Sequence, residues 1–124
     1  MQPILLTITA AVMVATMLVH SILGQRRLIR PLLDEHTGVM QRPLARFIVP
    51  FAWHLMSLLG LIVAVIFLAW AWAPDYARTI GLAATGTIFT IAGVVDAIGS
   101  RGEHVGWPSL TAIGLLSFGA LAIS

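Results

Sequence analysis

His20, His54 and Asp96 each stand inside or at the end of a long apolar segment, where an ionisable side chain is costly and usually retained for function. Imidazole and carboxylate are good first-row metal ligands. Two histidines and one carboxylate, with coordination positions left open, would suit Fe(II), Zn or Mn. Histidines on two helices would alternatively give axial ligation to a b-type haem between them, and Met13 and Met17 beside His20 would offer soft ligands to Cu(I). Without any cofactor, a histidine–aspartate–histidine chain is the material of a proton relay. Ser57 lies one turn beyond His54, and Glu103 and His104 follow Asp96; these three are candidates for a gate or for hydrogen bonds that orient the ligands. Each residue also has a plainer explanation: packing or interfacial hydrogen bonding for the histidines, a pair with Arg101 or a cap for Asp96, and packing for the methionines.

The elements that must position these groups follow from composition. The chain has 124 residues, 59% of them hydrophobic and only 10% charged, with a mean hydropathy of +0.97. A soluble domain of this size would carry about 25% charged residues. Four apolar stretches, at about 4–24, 43–72, 79–99 and 107–124, are each near the ~20 residues needed to cross a bilayer. The expected fold is an all-α integral membrane protein, with four transmembrane helices in a compact up-down bundle forming a single domain over 1–124. Pro43 and Pro108 suit first helical positions, and Pro50, one turn before His54, either kinks the second helix or belongs to its first turn.

Arginine sets the orientation. The seven basic residues are all arginine, and Arg26, Arg27, Arg30, Arg42 and Arg46 cluster in and just after the connector 25–42. Arg101 lies in the third connector and only Arg78 opposes them, so the positive-inside rule places connectors one and three in the cytoplasm and both termini outside. Trp70, Trp72 and Tyr76 would form the outer aromatic belt, with Trp107 and Trp53 at the inner one. The expected location is the plasma (inner) membrane of a bacterium. Arg26, Arg27 and Arg30 would meet anionic lipid headgroups, so the pI near 10.5 argues for topology and lipid, with no nucleic acid partner. Met1, Gln2 and Pro3 supply no basic charge ahead of the first apolar run, which reads as a retained span and not a cleaved leader.

On this topology the three ionisable residues approach one face of the bilayer. At a rise of about 1.5 Å per residue, His20 lies ~6 Å inside Gly24, His54 ~10 Å inside Phe47, where the apolar run of the second helix begins, and Asp96 ~5 Å inside Gly99. Thr9, Met13, Thr16, Met17 and His20 fall along one stripe of the first helix at i, i+3, i+4 spacing. In a compact bundle, His20, His54, Asp96, Glu103 and His104 would meet in one shallow cavity. The absence of cysteine excludes disulfides, thiolate ligation and c-type haem attachment. No Walker loop, HExxH, GxSxG or dinucleotide fingerprint occurs. Three functions fit: a membrane protein whose His/Asp pocket binds a metal, haem or other small ligand, with redox work in view; a noncatalytic accessory subunit of a larger membrane complex; and a proton-linked small transporter or channel, in the last case a homo-oligomer.

Overall fold

The computed structural model describes residues 1–123 and is all-helical among them. Helix α1 (Gln2–Gly24) opens with Pro3 in its first turn and does not stop at the arginines. It widens into a π turn at Gln25–Ile29 and continues as α2 (Arg30–Asp34). Pro31 explains the widening. It has no N–H for the carbonyl of Arg27, and its ring presses on that carbonyl; a turn of i→i+5 bonds, closed by Arg30 N–H on Gln25 O, absorbs the conflict. The expected connector 25–42 is therefore helical to Asp34, and Arg26, Arg27 and Arg30 ride on the extension. His36 and Gly38 then take positive φ (50° and 53°), and a 3-10 turn (Gly38–Gln41) leads into α3. Arg46 closes this corner, donating from Nη1 to the carbonyl of Leu33 at 2.7 Å.

Helix α3 (Pro43–Trp72) runs unbroken through Pro50, so that proline interrupts no helical segment. Pro74 ends it, since the residue before a proline is pushed out of the α region; Ala73 has φ −143°, ψ 56°. Helix α4 (Ala77–Gly99) ends in a Schellman arrangement: Gly102 N–H bonds Ala97 O and Arg101 N–H bonds Ile98 O. Helix α5 (Trp107–Ala122) starts at the expected Trp-Pro. Three helical stretches, Gln2–Asp34, Pro43–Trp72 and Pro74–Gly99, are long and apolar enough to cross a membrane; Trp107–Ala122 is apolar but shorter.

Helices packed without a hydrophobic drive rely on small residues that let a neighbour approach. Here glycines make each seam. Gly24 receives the indole of Trp53 and Gly60 receives Met17, joining α1 to α3 in antiparallel register. At the far end of that seam Trp72 Nε1 donates to Thr7 Oγ1 at 2.9 Å. Gly99 takes Phe47, joining α3 to α4. Gly86, Gly93 and Gly114 take Phe118, Thr111 and Thr90, joining α4 to α5. The main seams therefore run α1–α3, α3–α4 and α4–α5. The helices form a row in which each packs mainly on its neighbours in sequence, and not a closed bundle around one cavity. The stripe expected on α1 holds in part: Met17 and His20 lie in the seam, Thr9 and Thr16 are exposed, and Thr7 and Ser21 join it.

Candidate functional site

The antiparallel row places His20, His54 and Asp96 near the same end, as their depths implied, but divides them between two seams. His20 and His54 lie between α1 and α3. Asp96 lies between α4 and α5. Among the described residues no three His, Cys, Asp or Glu side chains form a group able to hold a metal ion. The common cavity expected for the five polar groups is thus replaced by two separate constellations, because each seam is closed by its own glycine contacts.

In the first constellation His54 is fully engaged. Its Nδ1 lies 2.6 Å from Ser21 Oγ and its Nε2 3.1 Å from Gln25 Oε1. The amide oxygen accepts from Nε2–H, so Nδ1 accepts the Ser21 hydroxyl proton. Neither ring nitrogen retains a lone pair for a metal or for one axial position of a haem. Ser21 and Gln25 are one turn apart on α1, which is why both reach the same imidazole. The Ser21–His54 distance also suits a nucleophile–base pair. Ser21 lies inside a continuous helix, however, where backbone N–H groups are committed to helical carbonyls and cannot stabilise an oxyanion. The trio is a hydrogen-bonded lock between α1 and α3. Ser21→Ala and His54→Ala should each weaken the seam, with a coupling of about 0.6 kcal/mol and at most about 2 kcal/mol. A double-mutant cycle on unfolding in detergent measures it, and strict additivity would show that the contact carries no energy.

His20 is placed differently. Its ring stacks on Trp53, centroids 4.2 Å apart and planes 8° from parallel, and its carbonyl accepts from Trp53 Nε1 at 3.1 Å. Trp53 belongs to the α1–α3 seam, with its indole on Gly24. The Nε2 of His20 and the Oγ of Ser57 are buried without hydrogen-bond partners among the described residues. His20 and Ser57 do not share a hydrogen bond with His54.

The second constellation is the more polar. Asp96 is wholly buried, at 0% exposure. Its Oδ2 accepts from His104 Nδ1 at 2.6 Å, while its Oδ1 has no partner among the described residues. His104, with 30% of its side chain exposed, reaches back from the α4–α5 connector. Gly106 makes this approach feasible, since a Cβ there would stand 2.5 Å from His104 Cε1 and 3.2 Å from Asp96 Oδ2. Ser100 Oγ donates to the Asp96 carbonyl at 2.6 Å, tightening the last turn. Asp96 therefore pairs with His104 directly, and neither Arg101 nor Glu103 joins it; Glu103 is exposed. An imidazole facing outward and a sealed carboxylate in direct contact can pass a proton between them.

Spacing alone identified His104 as an accessory to Asp96 but missed Ser21, Gln25 and Trp53. Ser21 and Gln25 read as ordinary helix-end residues until α1 and α3 are set in register; the i, i+4 spacing of the two was the available signal. No protein-family model, curated protein or solved structure matches the chain. Fold and site define an all-helical protein with three helices long and apolar enough to cross a membrane, carrying a buried aspartate–histidine pair at one end of its last helix hairpin.

Proposed function

We propose that this is an integral membrane protein of a plasma membrane, with four crossing segments and its arginine-rich connectors on the cytoplasmic side, whose α4–α5 hairpin takes up and releases a proton at Asp96 and His104. The observation that carries this is the geometry of the pair. Asp96 is sealed from solvent with one oxygen on His104 and the other unpartnered, and His104 is the exposed member. Intramembrane carboxylates and histidines in contact are the usual parts of proton pathways. A row of four helices encloses little space of its own, so proton passage across the remaining thickness calls for neighbouring chains, in a homo-oligomer or a larger membrane complex.

The test is proton flux into vesicles that carry the purified protein, an entrapped pH-sensitive dye and an imposed potential. Wild-type protein should conduct above empty vesicles, and Asp96→Asn should return the rate to background. Equal rates for wild type and Asp96→Asn would sink the proton reading.

A noncatalytic accessory subunit is the second reading. It is favoured by the long exposed apolar face of α1, where Ile4, Leu5, Ile8 and Val12 are 54–64% exposed and available to lipid or to partner helices. Its mark would be absence of flux together with loss of a stable partner complex when that face is altered. A metal or haem pocket has weaker support, because His54 has no free ring nitrogen and His20 stands alone with its Nε2.

A further inference from the structure

Where α3 begins beside the end of α4, the structure opens a polar cleft of about 520 Å³, lined by Arg42, Pro43 and Leu44 on one side and by Ser100, Arg101 and Glu103 on the other. Two arginines from segments far apart in sequence therefore line one concavity, with Glu103 the acidic residue among its walls. Arginine's planar fork matches phosphate oxygens, and clusters of basic residues at a membrane edge attract anionic headgroups. The start of α3 reinforces the same sign: no acidic residue stands in its first turn and no side chain caps it.

Arg101 is placed at some cost. It occupies the left-handed position that ends α4 (φ 55°), where glycine is the usual residue, although Gly102 (φ 78°) follows directly. A side chain held there against its backbone preference suggests that the guanidinium is needed at that point.

Along the same α3–α4 seam an apolar groove of about 390 Å³ runs between Phe47, Phe51 and Leu55 on one wall and Ile91 and Val95 on the other. The two features lie end to end on this seam, with Phe47, packed on Gly99, standing between them. Leu44, Phe47, Phe51 and Leu55 recur at three and four residues on α3, and Ile91, Val95 and Gly99 recur at four on α4. His54 also lines the groove, with both ring nitrogens already held by α1. A charged head beside an apolar trough of this kind matches one molecule that has both parts. We infer that the cleft between Arg42 and Arg101 binds the phosphate of an anionic phospholipid, with an acyl chain lying in the groove above it. This site is separate from the general headgroup attraction of Arg26, Arg27 and Arg30, and it does not depend on the proton reading of Asp96.

The full-length protein in mild detergent, titrated with phosphatidylglycerol, phosphatidylcholine or inorganic phosphate and read by native mass spectrometry, tests the inference. Phosphatidylglycerol should be retained in preference to phosphatidylcholine. Arg42→Gln combined with Arg101→Gly should weaken that retention by about tenfold or more. Arg101→Gly leaves the turn with its preferred residue, so loss of binding there is not loss of fold. Glu103→Gln, which removes the competing carboxylate, should tighten binding, while Arg26→Gln with Arg27→Gln should leave it unchanged. Unaltered retention by Arg42→Gln/Arg101→Gly, or an equal loss in the Arg26/Arg27 variant, would overturn the site. Inorganic phosphate binding as tightly as the lipid would overturn the phospholipid as its occupant.

Discussion

Alanine at Gly93 or at Gly114 should lower the unfolding temperature of the detergent-solubilised protein sharply, while alanine at Gly119 should leave it unchanged or raise it. The three glycines sit on the same hairpin but meet different surroundings. A Cβ on Gly93 would stand 2.7 Å from the backbone nitrogen of Thr111, and one on Gly114 would stand 2.5 Å from that of Thr90. Carbon and nitrogen pack no closer than about 3.5 Å without cost. A flexible side chain could swing aside, but these obstacles are helix backbones, so α4 and α5 must separate by about 1 Å. Overpacking of this kind costs about 1–3 kcal/mol even where the core can adjust. Among the described residues nothing lies within 4 Å of a methyl added at Gly119, so alanine there brings only its better helix propensity, worth about 1 kcal/mol.

The same separation should reach the polar pair. Asp96 lies one turn from Gly93 on α4, and its contact with His104 spans only 2.6 Å. Opening the seam by about 1 Å takes that contact beyond hydrogen-bond length. Gly93→Ala should therefore lose proton flux as well as stability. Gly24→Ala is the intermediate case, because the group in its way is the side chain of Trp53, not a backbone. Unfolding temperatures that fall equally for Gly93→Ala, Gly114→Ala and Gly119→Ala would show that close backbone approach does not hold α4 to α5.

Much of this architecture was legible from hydropathy and prolines. Pro43 and Pro108 marked the starts of α3 and α5, and the long apolar runs marked α1, α3 and α4, because both signals are local. The extension of α1 to Asp34 was not legible. The arginines looked like a connector, whereas a π turn ahead of Pro31 lets the helix carry them. That His20, His54 and Asp96 lie toward one end followed from the alternation of helix directions, but the ~6 Å counted for His20 does not hold, because the helix runs on past Gly24 to Asp34. Which seam each residue occupies could not be counted, because it depends on which glycine meets which large side chain on another helix. Gly24 against Trp53 and Gly93 against Thr111 decide that His20 and Asp96 lie in different seams. The small residues of α4 and α5 are plain in the sequence, but composition has no register.

His104→Leu should be the most damaging single change at the Asp96 site, and replacing both partners should be much milder than replacing His104 alone. Leucine keeps most of the imidazole's volume and keeps water out, so Asp96 would stay sealed with both oxygens unpaired. A buried group left unpaired by removal of its partner costs about 1–3 kcal/mol, and more where it carries charge. The partial exposure of His104 moves this case toward the lower end of that range. Asp96→Leu alone leaves an imidazole that can still turn its nitrogen toward the exposed side, so its cost should be small. In Asp96→Leu/His104→Leu an apolar pair of similar volume fills the seam, and exchanges of that kind are often neutral or better. The double variant should thus be more stable than His104→Leu, a reversal that additive effects cannot produce. Unfolding midpoints of the four proteins in one detergent give the cycle. If the double variant falls below both singles by the sum of their losses, the Asp96–His104 contact is not what holds this end of the hairpin.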